Sequence, residues 1–294
     1  MVGGEAHPRV PADTRGILRP DAMLRVVRFD RQAPGEVLEG LVEWFWTVEW
    51  SLPPGVAHDQ DVLSHPAGNI SIGTVDDEDV PLDPPEGRVW GVQSGLSHRH
   101  LVLDGWTVAA RTAVGGLGAL IGRPARSLTD ARCPLDELAG LDAAATLTAV
   151  AARPTNGERV ACLRDGLSEM VERRDPALVE EARRVVEVAR QAETDRAIRR
   201  TEQLAAAAGV SVRSLQRLFD VHVGVSPAFV IRRCRLIDAA EAARAAVDGD
   251  GTWAGWAAVA AELGYADQAH LSRDFTQHVG VSPAAYVAQC AVQA

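Results

Sequence analysis

Two short stretches near the C-terminal end carry side chains that can hydrogen-bond to the edges of DNA bases. The first holds Arg213, Gln216 and Arg217, and the second holds Ser272 and Arg273. In the major groove an Arg fork pairs with guanine and a Gln amide pairs with adenine, and each good pair discriminates by roughly 1–3 kcal/mol. These residue types favour base recognition, provided that each stretch is a helix with these side chains on its outer face.

The apolar residues around the first stretch predict that helix. Val212, Leu215, Leu218 and Phe219 recur at spacings of three and four, so they share one face and point to a core. Ser211 comes directly before them and is typical of an N-cap. The side chains left outside are Arg213, Ser214, Gln216, Arg217 and Asp220. On residue types alone, an ordinary solvated helix face stays open as the alternative.

The second stretch has the same layout with fewer basic residues. Leu271 and Phe275 predict its buried face, and Asp267 lies at the N-cap position, a role that we favour over base reading. Gln268 is expected to hold the turn or to contact phosphate. The base-reading candidates of this stretch are His270, Ser272 and Arg273.

Both stretches belong to an internal repeat. The hexapeptide Val-Gly-Val-Ser-Pro-Ala occurs at 223–228 and again at 279–284. Upstream of each copy an alanine-rich segment ends in glycine, at Gly209 and at Gly264. The pattern predicts two helix-turn-helix units joined by a long amphipathic helix over 227–247.

These residues resemble the DNA-binding domain of AraC-type transcriptional regulators. The resemblance rests on 215–219, on the repeated Gly-Val-Ser-Pro and on 263–275, and it covers about a third of the chain. It implies a sequence-specific transcription factor whose two recognition helices enter successive major-groove segments of double-stranded DNA. It also implies that Arg213, Gln216 and Arg217 face the groove.

The N-terminal part resembles, more loosely, a poorly characterised barrel domain that precedes this reader in a group of actinobacterial regulators. The residues that carry this likeness are the aromatic run 44–46 and residues 64–68. The resemblance implies effector sensing, dimerisation, or both.

Charge is segregated along the chain, whose formal net charge is −10. Residues 196–235 hold eight Arg and two acidic residues, whereas 236–294 hold two Arg and seven acidic residues. Because attraction to phosphate dominates sequence-independent DNA affinity, the first helix-turn-helix unit is expected to supply most of it. The candidate phosphate contacts are Arg199, Arg200, Arg232 and Arg233.

The whole sequence predicts an α+β multidomain chain. We expect a flexible N-terminus at 1–20, a small β-barrel or cupin-like sensor domain at 21–118, and a helical linker or dimerisation region at 119–195. The all-α double helix-turn-helix domain follows at 196–294.

Local sequence patterns predict strands, loops and one hairpin in the N-terminal region. Short aromatic and β-branched runs such as 41–50 predict strands, and Pro/Gly/Asp-rich segments such as 83–87 predict loops. The stretch 99–109 predicts a hairpin that turns at Asp104-Gly105, a pair suited to a tight type I′ turn.

Two sets of side chains in this region could bind something other than DNA. The candidates for an apolar ligand pocket are Trp44, Trp46, Trp90 and Trp106, with core packing as the alternative. His98 and His100 alternate along a strand, as in metal-binding cupins, but no carboxylate at a useful spacing accompanies them. We expect no metal and no cofactor. A cupin-like metalloenzyme domain fused to a DNA-binding module stays open as the alternative, as does a barrel that only drives oligomerisation.

Other function classes find little support in the sequence. The four cysteines are far apart and share no metal-ligand spacing, which is typical of a reducing cytosol. No apolar run is long enough to span a membrane, and no P-loop, nucleophile elbow or catalytic carboxylate pair occurs. We therefore expect a cytoplasmic, non-enzymatic, homodimeric regulator. Its expected partner is double-stranded DNA, with a small-molecule effector and RNA polymerase left open.

Overall fold

The N-terminal half of the molecule is built on antiparallel strands. The computed structural model describes residues 14–75, 80–247 and 255–293. The strands are β1 (Val27–Gln32), β2 (Val42–Ser51), β3 (Ala57–Val62), β4 (Asn69–Val75), β5 (Pro81–Trp90), β6 (Ser97–Val102), β7 (Asp104–Thr112) and β8 (Arg132–Pro134).

The strands form two separate sheets. Six of them make one sheet in the order β1-β2-β7-β4-β5-β8, and β3 pairs with β6 in a two-stranded sheet. Over the described residues the larger sheet keeps two edges, β1 and β8, so it is open where a closed barrel would have none. The predicted fold class, a mostly β N-terminal domain followed by an all-α domain, is confirmed.

Strand register decides which side chains share a face of the large sheet. Trp44 pairs with Arg111 and Trp46 pairs with Ala109, so these four side chains lie on one face. Phe45, one residue out of step, points to the opposite face and is fully buried there. The sheet therefore has an indole-rich face and an aliphatic face.

The predicted hairpin at Asp104-Gly105 is wrong. β6 ends at Val102 and pairs with β3, whereas β7 begins at Asp104 in the large sheet, so the chain crosses between sheets. Leu103, at the crossing, has a φ of 52°. Gly105 serves packing instead of a turn, because a Cβ there would lie 2.2 Å from the ring of its cross-strand partner Trp50.

Residues 83–87, predicted as a loop, lie inside β5. The pairing of β4 with β5 is interrupted, because Gly73 pairs with Glu86 whereas Val75 pairs with Pro81. The Pro84-Pro85 pair falls within this interruption, where no ladder N–H is required. A strand can therefore contain two prolines that on their own indicate a loop.

Four helices lie beyond β7 in the chain. The first, α2 (Leu117–Ile121), precedes β8, and the other three follow it: α3 (Ala143–Ala151), α4 (Asn156–Glu172) and α5 (Pro176–Thr194). The α4 stripe Val160, Leu163 and Leu167 is fully buried in one core with Phe45 and Ile70 of the sheet. A sheet with an aliphatic face needs a covering layer. The region 119–195, expected to be a linker or dimerisation element, thus contributes helices that complete the N-terminal core.

The chain before β1 is packed where it is described. Residues 14–19 lead into α1 (Pro20–Leu24). Leu18 is buried, and its carbonyl accepts a hydrogen bond from Tyr286 Oη at 3.0 Å. The prediction of a flexible N-terminus is therefore wrong for residues 14–20, and its first thirteen residues lie outside the described part of the chain.

The C-terminal domain is all-α and follows the predicted repeat. Its helices are α6 (Thr201–Ala207), α7 (Val212–His222), α8 (Pro227–Val247), α9 (Gly255–Glu262), α10 (Gln268–Val279) and α11 (Pro283–Gln293). Helices α6 and α7 form one helix-turn-helix unit, α9 and α10 form the other, and α8 joins them. Both turns contain the predicted glycine in the left-handed region, with φ 66° at Gly209 and 71° at Gly264.

The substitution Leu163→Ala tests whether α4 belongs to the N-terminal core. Leu163 is fully buried there, so truncation is expected to lower the free energy of unfolding by about 2–5 kcal/mol. Urea unfolding followed by circular dichroism measures the effect. The control is Glu172→Ala at an exposed position of the same helix, which is expected to change stability by less than about 0.5 kcal/mol. An unchanged unfolding midpoint for Leu163→Ala would show that α4 does not support the sheet.

Candidate nucleic-acid interface and adjoining cavity

Helix α7 presents the first predicted base-reading set to solvent. Leu215 and Phe219 are fully buried, which fixes the rotation of the helix. Arg213, Gln216 and Arg217 are consequently exposed on its outer face. This face carries two guanidinium forks and one amide, the groups suited to guanine and adenine edges.

A serine pair holds the N-terminal end of α7. Ser211 Oγ accepts a hydrogen bond from Ser214 N at 3.1 Å, which confirms Ser211 as the N-cap. The two hydroxyl oxygens are 2.9 Å apart, and Ser214 is half-buried. The residues that line a shallow groove along this face are Arg213, Ser214, Gln216, Arg217 and Asp220.

Helix α10 carries the second predicted set. Asp267 Oδ1 accepts a hydrogen bond from His270 N at 2.6 Å, which confirms the expected N-cap. Gln268, His270 and Arg273 are exposed, and Ser272 is half-buried. This face therefore offers one guanidinium where α7 offers two.

Tyr265 supports α10 from behind, whereas the sequence pattern placed it only in a turn. Tyr265 is buried, and its ring packs edge-on against the His270 ring with centroids 5.2 Å apart. Tyr265 Oη donates a hydrogen bond to Asp274 at 2.9 Å, and the Arg235 guanidinium lies 4.2 Å from the Tyr265 ring centroid. Burial raises the pKa of Tyr265, so it stays a protonated donor. Tyr265 thus positions His270 on the candidate DNA face.

The four predicted phosphate contacts fall into two groups. Arg199, Arg200 and Arg232 are exposed, and Arg232 Nε lies 3.9 Å from Asp274 Oδ1. Arg233 is only 1% exposed, so its assignment as a phosphate contact is wrong. Successive residues of a helix point about 100° apart, which lets one of two adjacent arginines face solvent while the other enters the core.

Arg233 instead joins α8 to the N-terminal domain. Its guanidinium donates to the carbonyl of Ser64 at 3.0 Å and also to the carbonyl of Ser94. Burial lowers the pKa of Arg233 to about 10, which leaves it protonated at neutral pH. Ser64 lies between β3 and β4, and Ser94 lies between β5 and β6. One cation therefore fixes two loops of the N-terminal domain.

A second contact holds α8 one turn further along. Asp238 is ion-paired with Arg15 and lies 4.0 Å from Arg196. Burial raises the pKa of Asp238, and both guanidinium groups oppose that rise. Arg196 also pairs with Glu262 of α9. Asp238 thus ties α8 to the segment before α1 and to the segment between α5 and α6, and Arg196 links that second segment to α9.

A cavity of about 270 Å³ lies between the two sheets. The indoles that line it are Trp44, Trp46, Trp50 and Trp90. The prediction that Trp106 lines the same pocket is wrong. Trp106 pairs with Glu49, one residue out of phase with the lining positions, and its ring lies on the helix side of the sheet beneath the Arg159 guanidinium at 4.0 Å.

The cavity and the contacts to α8 share residues. Arg15 and Ser64 both line the cavity and both contact α8. Gln93, which precedes the second carbonyl acceptor of Arg233, lines it as well. An occupant of the cavity would therefore touch residues that also hold α8, the helix between the two helix-turn-helix units.

The two strand histidines have carboxylate partners that sequence spacing did not reveal. His98 Nδ1 lies 2.5 Å from Asp61 Oδ1, and His100 Nδ1 lies 2.6 Å from Asp59 Oδ1, across the small sheet. Within the described ranges, no three His, Cys, Asp or Glu side chains are grouped so as to hold a metal ion. These exposed pairs cross-link β3 and β6.

Two family models match the chain. One, described as a helix-turn-helix domain, matches residues 204–289, and the other, described as a domain of unknown function (DUF6597), matches residues 30–134. The C-terminal domain is an AraC-type helix-turn-helix domain. With this domain the chain is a DNA-binding transcription regulator.

Solved structures with AraC-type domains show a distant likeness. A transcriptional regulator with an AraC-type DNA-binding domain from Chromobacterium violaceum is 25% identical over 37% of this chain and 92% of that chain, with a TM-score of 0.31. ToxT from Vibrio cholerae O395 is 11% identical over 84% of this chain and 98% of that chain, with a TM-score of 0.37. No curated protein gives a significant match.

The cysteines and the helices add two observations. All four cysteines are free, and Cys133 and Cys234 are buried, which fits their expected role as small apolar residues. Across the described ranges, each helix is either too short or too polar to cross a lipid bilayer.

The substitution Asp267→Ala separates helix capping from base reading. Loss of the cap is expected to lower the free energy of unfolding by about 1 kcal/mol, whereas Asp267→Asn, which keeps an acceptor oxygen, is expected to retain most of it. Thermal unfolding of the DNA-free protein measures both variants, with the exposed Gln277→Ala of the same helix as control. If Asp267→Ala were as stable as the native chain, the capping assignment would fail.

Proposed function

We propose that this AraC-type regulator reads DNA sequence through α7 and α10, and that its N-terminal domain modulates that reading through a small molecule held in the cavity. The observation that carries the first part is the exposed row Arg213, Gln216 and Arg217 on a capped helix of the matched domain. Arg and Gln at solvent-facing positions of such a helix are the usual donors to guanine and adenine.

The two recognition helices contribute unequally to DNA binding in this proposal. On α7, Arg213, Gln216 and Arg217 contact bases, with Ser214 at the edge of the groove. On α10, Arg273 contacts a base beside His270 and Ser272. Because α7 carries two guanidinium groups and α10 one, α7 supplies the larger share of affinity and α10 refines the preference for a half-site.

Helix α8 sets the distance between the two readers. It has 21 residues, and at about 1.5 Å per residue it is about 30 Å long. One turn of B-DNA is about 34 Å. A stiff helix of this length lets both readers meet successive major-groove segments on one side of the duplex, while Arg199, Arg200 and Arg232 contact the phosphates.

Modulation through the cavity is supported by the contacts of α8. Arg233 and Asp238 of that helix are held by Ser64, Ser94 and Arg15, and two of these three residues line the cavity. A ligand that favours one arrangement of the cavity wall would shift the position of α8 and hence the relative placement of the readers. Homodimerisation and contact with RNA polymerase remain predictions from the sequence.

The substitutions Arg217→Ala and Arg273→Ala test whether α7 contributes more to DNA affinity than α10 does. Arg217→Ala is expected to weaken binding to a selected DNA site by at least about tenfold, which corresponds to the loss of one bidentate base contact. Arg273→Ala is expected to weaken binding less and mainly to relax the preference at one half-site. Gel shifts at fixed salt on sites obtained by selecting bound genomic fragments measure both effects.

The control for these two variants is Arg173→Ala, which changes the exposed C-cap residue of α4 in the N-terminal domain. It is expected to bind the same site like the native chain. Equal losses for Arg217→Ala and Arg273→Ala would contradict the unequal contribution of the two helices, and native-like binding by both would contradict base reading by these helices.

The adjacent arginines of α8 give a matched pair for testing the coupling. Arg233→Met is expected to speed amide hydrogen exchange in the loops around Ser64 and Ser94 by at least about tenfold, because both carbonyls lose their donor. Arg232→Met is expected to leave these loops unchanged and to weaken DNA binding at all sites alike, with a smaller salt dependence. Unchanged exchange in Arg233→Met would show that α8 and the cavity loops are not coupled.

A further inference from the structure

An arginine of the N-terminal domain lies beside the candidate DNA face of α7. Arg126 belongs to a 3₁₀ turn (Ala125–Leu128) between α2 and β8. Its Nη1 lies 3.9 Å from Asp220 Oδ2, and the two side chains are 63% and 49% exposed. Asp220 lines the shallow groove on α7 together with the base-reading candidates of that helix. A guanidinium from outside the C-terminal domain therefore lies at the edge of this surface.

The backbone of the 125–128 turn is fixed against the end of α7. Ala125 and Leu128 are buried in the core of the N-terminal domain, and Thr129 Oγ1 donates a hydrogen bond to the carbonyl of Gly224. Gly224 has a φ of 98°, and a Cβ there would lie 3.0 Å from the carbonyl oxygen of Ala125. The close approach therefore requires glycine. Arg126 starts from a fixed position, and its side chain extends from there into solvent.

The second helix-turn-helix unit differs at both matching positions. The repeat aligns Gly224 with Gly280 and Asp220 with Thr276. Among the described residues, a Cβ at Gly280 would meet nothing within 4 Å. Thr276 is uncharged, and its hydroxyl donates to the carbonyl of Ser272 at 2.7 Å. The first unit thus combines a carboxylate on its reading face with an arginine from the N-terminal domain, whereas the second unit has a neutral residue there.

A carboxylate at the end of α7 needs a nearby cation if DNA is to approach. The C-terminal end of a helix carries partial negative charge, and the carboxylate of Asp220 adds to it. The N-terminal residues of a recognition helix contact the base edges. Because α7 has 11 residues and is about 16 Å long, whereas the major groove is about 12 Å wide, its other end comes close to the phosphates at the groove rim. Arg126 supplies positive charge at that end.

We propose that Arg126 contacts a DNA phosphate at the rim of the major groove, so that the N-terminal domain forms part of the DNA-binding surface. An ion pair between two exposed side chains at 3.9 Å is weak. A guanidinium has five N–H donors, so it can bind a phosphate while it still faces Asp220. This contact deepens the proposed function and rests on its first part, in which α7 reads DNA.

Salt-dependent binding of the full chain tests this proposal, measured by fluorescence anisotropy on a selected site and on a random duplex. Arg126→Gln is expected to weaken binding to both duplexes by about fivefold at about 0.1 M salt, because a phosphate contact does not depend on sequence. The slope of log affinity against log salt is expected to fall by about 0.9, the value for one phosphate. Arg126→Lys keeps the charge and is expected to stay within about twofold of the native chain, with the native slope.

The matched control is Arg123→Gln, three residues earlier in the same segment. Arg123 is 40% exposed and lies 3.5 Å from Glu137 of the N-terminal domain. This variant is expected to bind both duplexes with the native affinity and the native slope. The proposal is overturned if Arg126→Gln keeps the native slope, if it weakens binding to the selected site only, or if Arg123→Gln lowers the slope as much. The last result would show that net charge acts without a contact.

The variant Arg217→Ala, measured in the same assay, keeps this contact separate from the proposed function. If Arg217→Ala loses affinity for the selected site while Arg126→Gln binds like the native chain, α7 reads DNA and the phosphate contact alone fails. If Arg126→Gln loses affinity and slope as expected while Arg217→Ala binds like the native chain, the phosphate contact stands and base reading by Arg217 fails.

Discussion

The buried guanidinium of Arg233 is a central contact between the two halves of this molecule. A guanidinium removed from water is tolerated only if its N–H groups find acceptors, because an unpaired buried charge costs several kcal/mol. Both terminal nitrogens of Arg233 donate to carbonyls, those of Ser64 and Ser94 in two different loops of the N-terminal domain, whereas its buried Nε has no hydrogen-bond partner among the described residues. The positions of α8 and of the loops around Ser64 and Ser94 are therefore linked. If either moved alone, the Arg233 guanidinium would enter solvent or lose its acceptors.

The same contact changes how the charge of the DNA-binding domain should be understood. Residues 196–235 hold eight arginines, but net charge along a sequence does not say which of them face DNA. Arg196 pairs with Glu262, Arg233 is buried, and Arg235 stacks on Tyr265. The basic surface of the first unit is consequently narrower than the sequence indicates. The other five arginines of this stretch are exposed, so the proposed base contacts and phosphate contacts together depend on few side chains: Arg199, Arg200, Arg213, Arg217 and Arg232.

The sequence predicted the C-terminal domain well because its helices, turns and caps depend on residues within a few positions of one another. Ser211, Gly209 and Asp267 do in the structure what their local patterns indicate. The failures all involve contacts between distant residues. Gly105 makes room for Trp50 where a turn was predicted, and Arg233 is buried because loops more than a hundred residues earlier in the chain supply its acceptors.

The N-terminal domain also touches the first reader directly, and this makes the two readers unequal in a second way. His222, at the C-terminal end of α7, is fully buried and lies 3.0 Å from Glu181 of α5, and Thr129 donates a hydrogen bond to the carbonyl of Gly224 just beyond that helix. The C-terminal end of α7 thus rests on the N-terminal domain. Because B-DNA fixes the separation of successive major-groove segments, a small shift of α7 on this support would change how well both readers fit at once. A rigid spacer such as α8 would turn that local shift into a change in affinity for the whole site.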